Sequence, residues 1–163
     1  MRFGIGYDVH PFEEGRKLVL AGIEIPYEKG LSGHSDADVL SHAICDAMLG
    51  AAGQEDIGVH FPDNDEKYKN ISSLILIKKV KEIVEKKGFI INNIDTVIIT
   101  QEPRLADYRA RMRENLANAL DIPQSRLNIK ATTPERLGSF GRGEGMAVYA
   151  VVSLEGMELE NNL

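Results

Sequence analysis

Asp8 and His10 stand two apart in a run of alternating small and apolar residues. In a strand that spacing sends both side chains off one face, so a carboxylate oxygen and an imidazole nitrogen can meet one cation. His42, in a later segment of helical periodicity, can add a third ligand and leave one coordination position open. A closed four-ligand site is structural, whereas an open position leaves room for chemistry. Two nitrogens and one carboxylate suit zinc, with manganese and iron as alternatives. Asp38, His42 and Asp46 recur at steps of four on one helical face, so a carboxylate from that face is expected to fix the His42 tautomer.

Two further segments carry groups for phosphate. His34 and Ser35 precede the same helix, where unpaired N–H groups and the positive end of the helix dipole favour an anion. Ser35 or Asp36 is expected to cap that helix. Thr132, Thr133, Pro134 and Glu135 leave the end of an expected strand. The threonine hydroxyls can hold a phosphate, and Glu135 can bind a second, harder cation such as magnesium. Asp56-Ile57-Gly58 and Phe61-Pro62-Asp63-Asn64-Asp65 form an acidic, turn-rich stretch whose carboxylates can accept from a polyol. Gly138, Gly141, Gly143 and Gly145 space out Arg142 and Glu144, which are expected to be available to an anion or a neighbouring subunit. No G-x-x-x-x-G-K-[ST] pattern occurs, so a nucleotide P-loop is unsupported.

The elements that must position these residues follow from periodicity. Residues 2–9 form a first strand, and 17–25 two short strands around a turn at Ala21-Gly22, stopped by Pro26. Leu40, Ile44, Ala47, Met48 and Ala51 make one apolar face of a helix from Asp36 to Ala52. A second helix runs from Ser72 to Lys87, with Ile75, Leu76, Val80, Ile83 and Val84 inward. Ile94 to Gln101 is a buried strand, Leu105 to Leu120 a third helix, and 127–131 and 146–154 are further strands. The expected fold is α/β of the α+β type: one domain over residues 1–157, a mixed sheet with helices packed on one face, and a tail at 158–163.

The 163 residues suffice for a substantial core, with 43% hydrophobic and 27% charged. The formal charge of −6 offers no basic footprint for nucleic acid. No apolar run reaches the ~20 residues of a membrane helix. The lone Cys45 excludes an internal disulfide and reads as a packing residue. A strand that begins at once leaves no room for a signal peptide, and the chain reads as cytosolic, bacterial or processed plastid.

Across "GYDVHPF", "GHSDADVLSHAICDAMLGAAGQEDIGVHFPD" and "KATTPERLGSFGRGEG" the chain closely resembles the 2-C-methyl-D-erythritol 2,4-cyclodiphosphate synthase family of the non-mevalonate isoprenoid pathway. The resemblance implies a homotrimer with active sites at the subunit interfaces. It implies zinc on Asp8, His10 and His42, and magnesium or manganese on Glu135. His34 and Thr133 would stabilise the transition state, and Ser35 would join His34 on the diphosphate. Asp56, Ile57, Gly58, Phe61, Pro62, Asp63, Asn64 and Asp65 match a segment that contacts substrate. Thr100, Gln101, Glu102, Pro103, Arg104, Leu105 and Ala106 match a cytidine-binding loop, with Thr132 beside the nucleotide phosphates. Arg142 is expected to touch substrate or the trimer contact. Ser139 stands where such proteins often carry phenylalanine, lining a trimer-axis cavity for an isoprenoid diphosphate. A metal-dependent phosphohydrolase and a non-catalytic isoprenoid-phosphate-binding trimer are the alternative readings.

Overall fold

The computed structural model describes residues 1–157 except His34, Asp63, Glu66, Lys67, Lys69 and Asn70. The expected tail at 158–163 lies outside the described residues. The elements are β1 (Arg2–Glu14), β2 (Leu18–Leu20), β3 (Ile23–Ile25), β4 (Lys29–Leu31), α1 (Val39–Ala51), α2 (Ile57–His60) and α3 (Ser73–Lys86). They continue with β5 (Phe89–Ile99), α4 (Arg109–Leu120), β6 (Leu127–Thr132), α5 (Gly138–Gly141) and β7 (Gly145–Gly156). Among the described residues no helix is long and apolar enough to cross a membrane.

The main sheet has the order β4-β1-β7-β5-β6. Its β5–β6 pair is parallel and the other pairs are antiparallel, so the expected mixed sheet is observed. β2 and β3 form a separate hairpin around Ala21-Gly22. Strand alternation sorts the two faces. Met146, Val148, Ala150, Val152 and Leu154 of β7 point inward with Ile94, Thr96 and Ile98 of β5, under α1, α3 and α4.

The central helix α1 is buried nearly all round, not along one stripe: Val39, Ala43, Cys45 and Leu49 are as inaccessible as Leu40, Ile44 and Met48. It starts three residues later than periodicity suggests, because Asp38 rather than Ser35 or Asp36 caps it. Asp38 Oδ1 accepts from Ser41 N at 3.1 Å, and Oδ2 accepts from Ser41 Oγ and from Gly22 N. In α3 the core face is Leu76, Ile77, Val80 and Val84, while Ile75, expected inward, is exposed. Sequence periodicity gave no warning of the short α2, α5 and β4, each of four residues or fewer.

Among the described residues no helix covers the opposite face of the sheet. Phe3 and Ile5 are 68% and 70% exposed there, beside Tyr7, Val9, Tyr149 and Val151. Ile5 pairs with Val151 and Tyr7 with Tyr149, whose rings lie 4.8 Å apart. An apolar patch of this kind marks an interaction surface.

Candidate metal and nucleotide site

The odd residues of β1 face the bare side, so its even residues, Gly4, Gly6, Asp8 and His10, face α1. The glycines set the distance. A Cβ on Gly4 would lie 2.0 Å from the Ala47 carbonyl oxygen, and one on Gly6 would lie 1.9 Å from that of Ala43. Only a strand bare at both positions lets α1 lie this close, and that approach delivers His42 to Asp8 and His10.

Asp8 Oδ2 is 2.9 Å from His10 Nε2 and 3.3 Å from His42 Nδ1. Tetrahedral zinc with bonds near 2.0–2.1 Å would place neighbouring ligand atoms about 3.3 Å apart. His10 Nδ1 lies 2.7 Å from the Ser32 carbonyl, which can only accept, so Nδ1 carries the proton. Nε2 then turns a lone pair toward a carboxylate oxygen. Both Asp8 Oδ2 and His10 Nε2 are buried, and despite their proximity neither has a hydrogen-bond partner. A cation between them would satisfy both, so the residues fit a metal. These three form the cluster with metal-ligand spacing among the described residues.

Burial works to raise the Asp8 carboxyl, but contact with the His10 and His42 imidazoles outweighs it and leaves the group at about 2. Burial disfavours the His42 imidazolium, yet Asp8, Asp38 and Asp36 raise it above its ordinary value in the absence of metal.

Neither expected carboxylate fixes the His42 ring. Asp38 is consumed by the α1 cap, and Asp46 Oδ1 accepts from Ile57 N at 2.8 Å. The His42 Nε2 atom instead lies 2.8 Å from Ser73 Oγ and 3.1 Å from Ser35 Oγ. Ser73 in turn donates to Asp36. Ser73 and Asp36 were invisible as site residues in the sequence, because no local spacing links positions so far apart. Arg16, also unforeseen, ties down the adjoining loop by donating to the carbonyls of Gly33 and Ser35.

The Asp46–Ile57 hydrogen bond draws the Asp56-Ile57-Gly58 segment against the helical turn after His42. Asp56 itself caps α2 through Val59 N. Burial raises the Asp46 carboxyl, with the charges of Asp56 and Asp8 adding to the effect and the Ile57 N–H opposing it. Phe61 is buried, edge-on to Tyr68, so its ring belongs to the core. Pro62 and Asp65 are half-buried and Asn64 is exposed. His34 and Asp63 lie outside the described residues.

The other expected group gathers at the ends of β5 and β6. Thr100, Gln101, Pro103, Arg104, Leu105, Ala106, Thr132 and Thr133 line one cleft of about 210 Å³, together with Arg109. Glu102 does not line it; its carbonyl accepts from Thr100 Oγ1 at 2.5 Å, and the bond to Pro103 is cis. Parallel strands explain the gathering, since loops leaving their carboxyl ends emerge side by side. Thr133 Oγ1 donates to Glu135 Oε1 at 2.6 Å, and Gln101 Oε1 accepts from Arg136 N. Glu135 and Arg136 both have positive φ, 54° and 62°. Glu135 is exposed and belongs to no three-ligand cluster among the described residues, as suits a magnesium-type ion that draws its other oxygens from water and phosphate. Arg142, expected to be available, is paired with Glu144 at 2.5 Å, and both are exposed.

Val9, Ala147, Ile99 and Thr132 form one register row across β1, β7, β5 and β6. The triad and the cleft therefore open at the same edge of the sheet, three strand spacings or roughly 14 Å apart.

The YgbB family model matches residues 1–155. A protein named 2-C-methyl-D-erythritol 2,4-cyclodiphosphate synthase from Syntrophobacter fumaroxidans is 59% identical over 154 residues, covering 94% of this chain and 97% of that one. A protein of the same name from Alkaliphilus metalliredigens is 58% identical with the same coverage. Among solved structures, the bifunctional IspDF from Campylobacter jejuni superposes with a TM-score of 0.93 at 47% identity, over 96% of this chain and 42% of that longer one. IspF from Plasmodium falciparum, in complex with CDP, gives 0.84 at 32% identity over 96% and 97% of the two chains.

Proposed function

The chain belongs to the YgbB family, and we propose on that footing that it converts 4-diphosphocytidyl-2-C-methyl-D-erythritol 2-phosphate to 2-C-methyl-D-erythritol 2,4-cyclodiphosphate, releasing CMP, in isoprenoid precursor biosynthesis. The observation that carries this reading is the convergence of Asp8 Oδ2, His10 Nε2 and His42 Nδ1, with two of the three atoms buried and unpartnered. The reaction is that of a phosphorus–oxygen lyase. An oxygen of the 2-phosphate bonds to the β-phosphorus, the bond from that phosphorus to the bridging oxygen breaks, and the electron pair leaves on CMP. No water enters. The attacking phosphate is already anionic near neutral pH, so the step needs no activated serine, cysteine or lysine.

Zinc on Asp8, His10 and His42 and magnesium or manganese on Glu135, when bound, would draw negative charge from the diphosphate as phosphoryl transfer requires. The chain's own groups position the substrate. Ser35 Oγ accepts from Ala37 N at 3.3 Å and lies within reach of His42 Nε2, and its own proton remains to donate to a phosphate oxygen. His34 would share that load. With Glu135 engaged, the Thr133 hydroxyl is released to donate to a phosphate, beside Thr132. The 100–106 loop would hold cytidine in the β5–β6 cleft, in keeping with the CDP complex of the Plasmodium relative. Asp56 to Gly58, with 61–65, would meet the erythritol part. Bringing the two ends of one substrate together contributes several kcal/mol through orientation.

The assembly we assign is a homotrimer, supported by the apolar face of β1 and β7. Its active sites would lie between subunits, in keeping with the gap between triad and cleft within one chain. Arg142 and Glu144 then sit at the contact. An isoprenoid diphosphate on the trimer axis would find a polar hydroxyl at the exposed Ser139. The buried, unpaired Cys45 and the bacterial relatives support a cytoplasmic location.

His42→Ala should lower CMP release by orders of magnitude and abolish stoichiometric zinc, leaving sedimentation unchanged. Normal turnover by metal-depleted His42→Ala protein would refute the metal assignment.

A further inference from the structure

We infer that Ser73 and Asp36 are a positioning pair that holds His42 with its proton on Nε2, so that Nδ1 is the atom presented to the metal. This rests on the metal reading of Asp8, His10 and His42 and deepens it. The pair acts through His42 and touches no substrate.

The chain of donors has one direction. An ionised carboxylate only accepts, so the short contact between Ser73 Oγ and Asp36 Oδ1 is a donation by the serine. With its proton committed, Ser73 Oγ faces His42 Nε2 at 2.8 Å as an acceptor. The imidazole must then donate from Nε2, and its Nδ1 lone pair points to Asp8 Oδ2. Ser35 Oγ, at 3.1 Å, is the more distant of the two hydroxyls and already accepts from Ala37 N. Metal-bound histidines are commonly held by such an outer partner; here a serine stands between the ring and the carboxylate.

Asp36 is itself anchored from both sides. Its Oδ2 accepts from Ser73 N at 2.9 Å, and its Oδ1 accepts from Asp38 N. Ser72, the residue before α3, makes no side-chain cap, so Asp36 caps α3 from another part of the chain. One carboxylate thus joins the loop before α1 to the first turn of α3, and the hydroxyl it orients reaches the metal ligand of α1.

Zinc affinity, measured by competition with a chromophoric chelator, separates the roles. Ser73→Ala keeps the N–H that Asp36 accepts, so α3 stays capped while His42 loses its acceptor. It should weaken zinc binding by about 10- to 100-fold, and Ser73→Thr, which keeps a hydroxyl, should restore most of it. In the zinc-loaded wild-type protein, nitrogen-15 NMR should show His42 protonated at Nε2 and ligated through Nδ1. That spectrum decides the matter even if Ser73→Ala fails to fold. Unchanged affinity in Ser73→Ala beside a crippled His42→Ala, or ligation through Nε2, would overturn the positioning role alone. Unchanged zinc affinity in His42→Ala would overturn the metal centre and this pair with it.

Discussion

Gly6→Ala is the substitution that most sharply tests how the site is built. Its new Cβ would sit 1.9 Å from the Ala43 carbonyl oxygen and 2.8 Å from Ala47 N, where ordinary contact begins at 3.4 Å. Both are backbone atoms of the central helix, so no side chain can rotate away. Relief requires α1 to lift by about 1.5 Å, beyond the ~0.5 Å that a functional constellation tolerates. Overpacking of a close-packed core costs about 1–3 kcal/mol, and the upper end applies because two backbones are forced apart. At about 3 kcal/mol the melting temperature should fall by roughly 6–12 °C. His42 adjoins Ala43, so the same displacement pulls its Nδ1 from Asp8 and zinc affinity should fall together with stability. Denaturant melts and chelator competition on one preparation read both quantities. Gly156→Ala, with open space around the added methyl, is the control. A Gly6→Ala protein within about 0.5 kcal/mol of wild type, the usual range of an innocuous surface change, with wild-type zinc affinity would refute the close-approach reasoning.

Metal binding should release protons. His42 lies above its ordinary value of 6.5 when metal is absent, so a cation competes with its proton, and affinity should fall as pH drops through that raised value. Calorimetry in two buffers of different ionisation enthalpy measures this as pH is lowered toward 6.5, and an enthalpy independent of buffer throughout would contradict it. On the bare sheet face, Tyr149→Asp would place an uncompensated carboxylate in each apolar contact, at several kcal/mol apiece. If this face is the proposed subunit contact, sedimentation should find monomers that keep the wild-type circular dichroism; an unchanged assembly would place the interface elsewhere.

Much of the layout was legible before any coordinates. The Asp8-x-His10 alternation and the helical register of His42 picked out three candidate ligands that the fold does bring together, because both periodicities survive in the fold unchanged. The long apolar runs located α1, α3, β5 and β7. What could not be read were contacts made across the chain. Asp38 lies at the spacing of a polar helical face, but it is wholly buried because the β2–β3 turn brings Gly22 N onto it. Ile75 fits the helical stripe of α3 yet is exposed, since the buried side of the helix takes Leu76 and Ile77 instead. Ser73 and Asp36 meet only because α3 begins beside the loop before α1. The cleft at the ends of β5 and β6 needed the parallel pairing of those strands, which no local pattern reveals.

The most direct test of the proposed activity is phosphorus NMR of the purified protein with the cytidyl substrate, zinc and magnesium, beside His42→Ala. A cyclic diphosphate accumulating with equimolar CMP, absent in the variant, is the predicted result. Inorganic phosphate released without a cyclic product would contradict the account and favour a metal-dependent hydrolase.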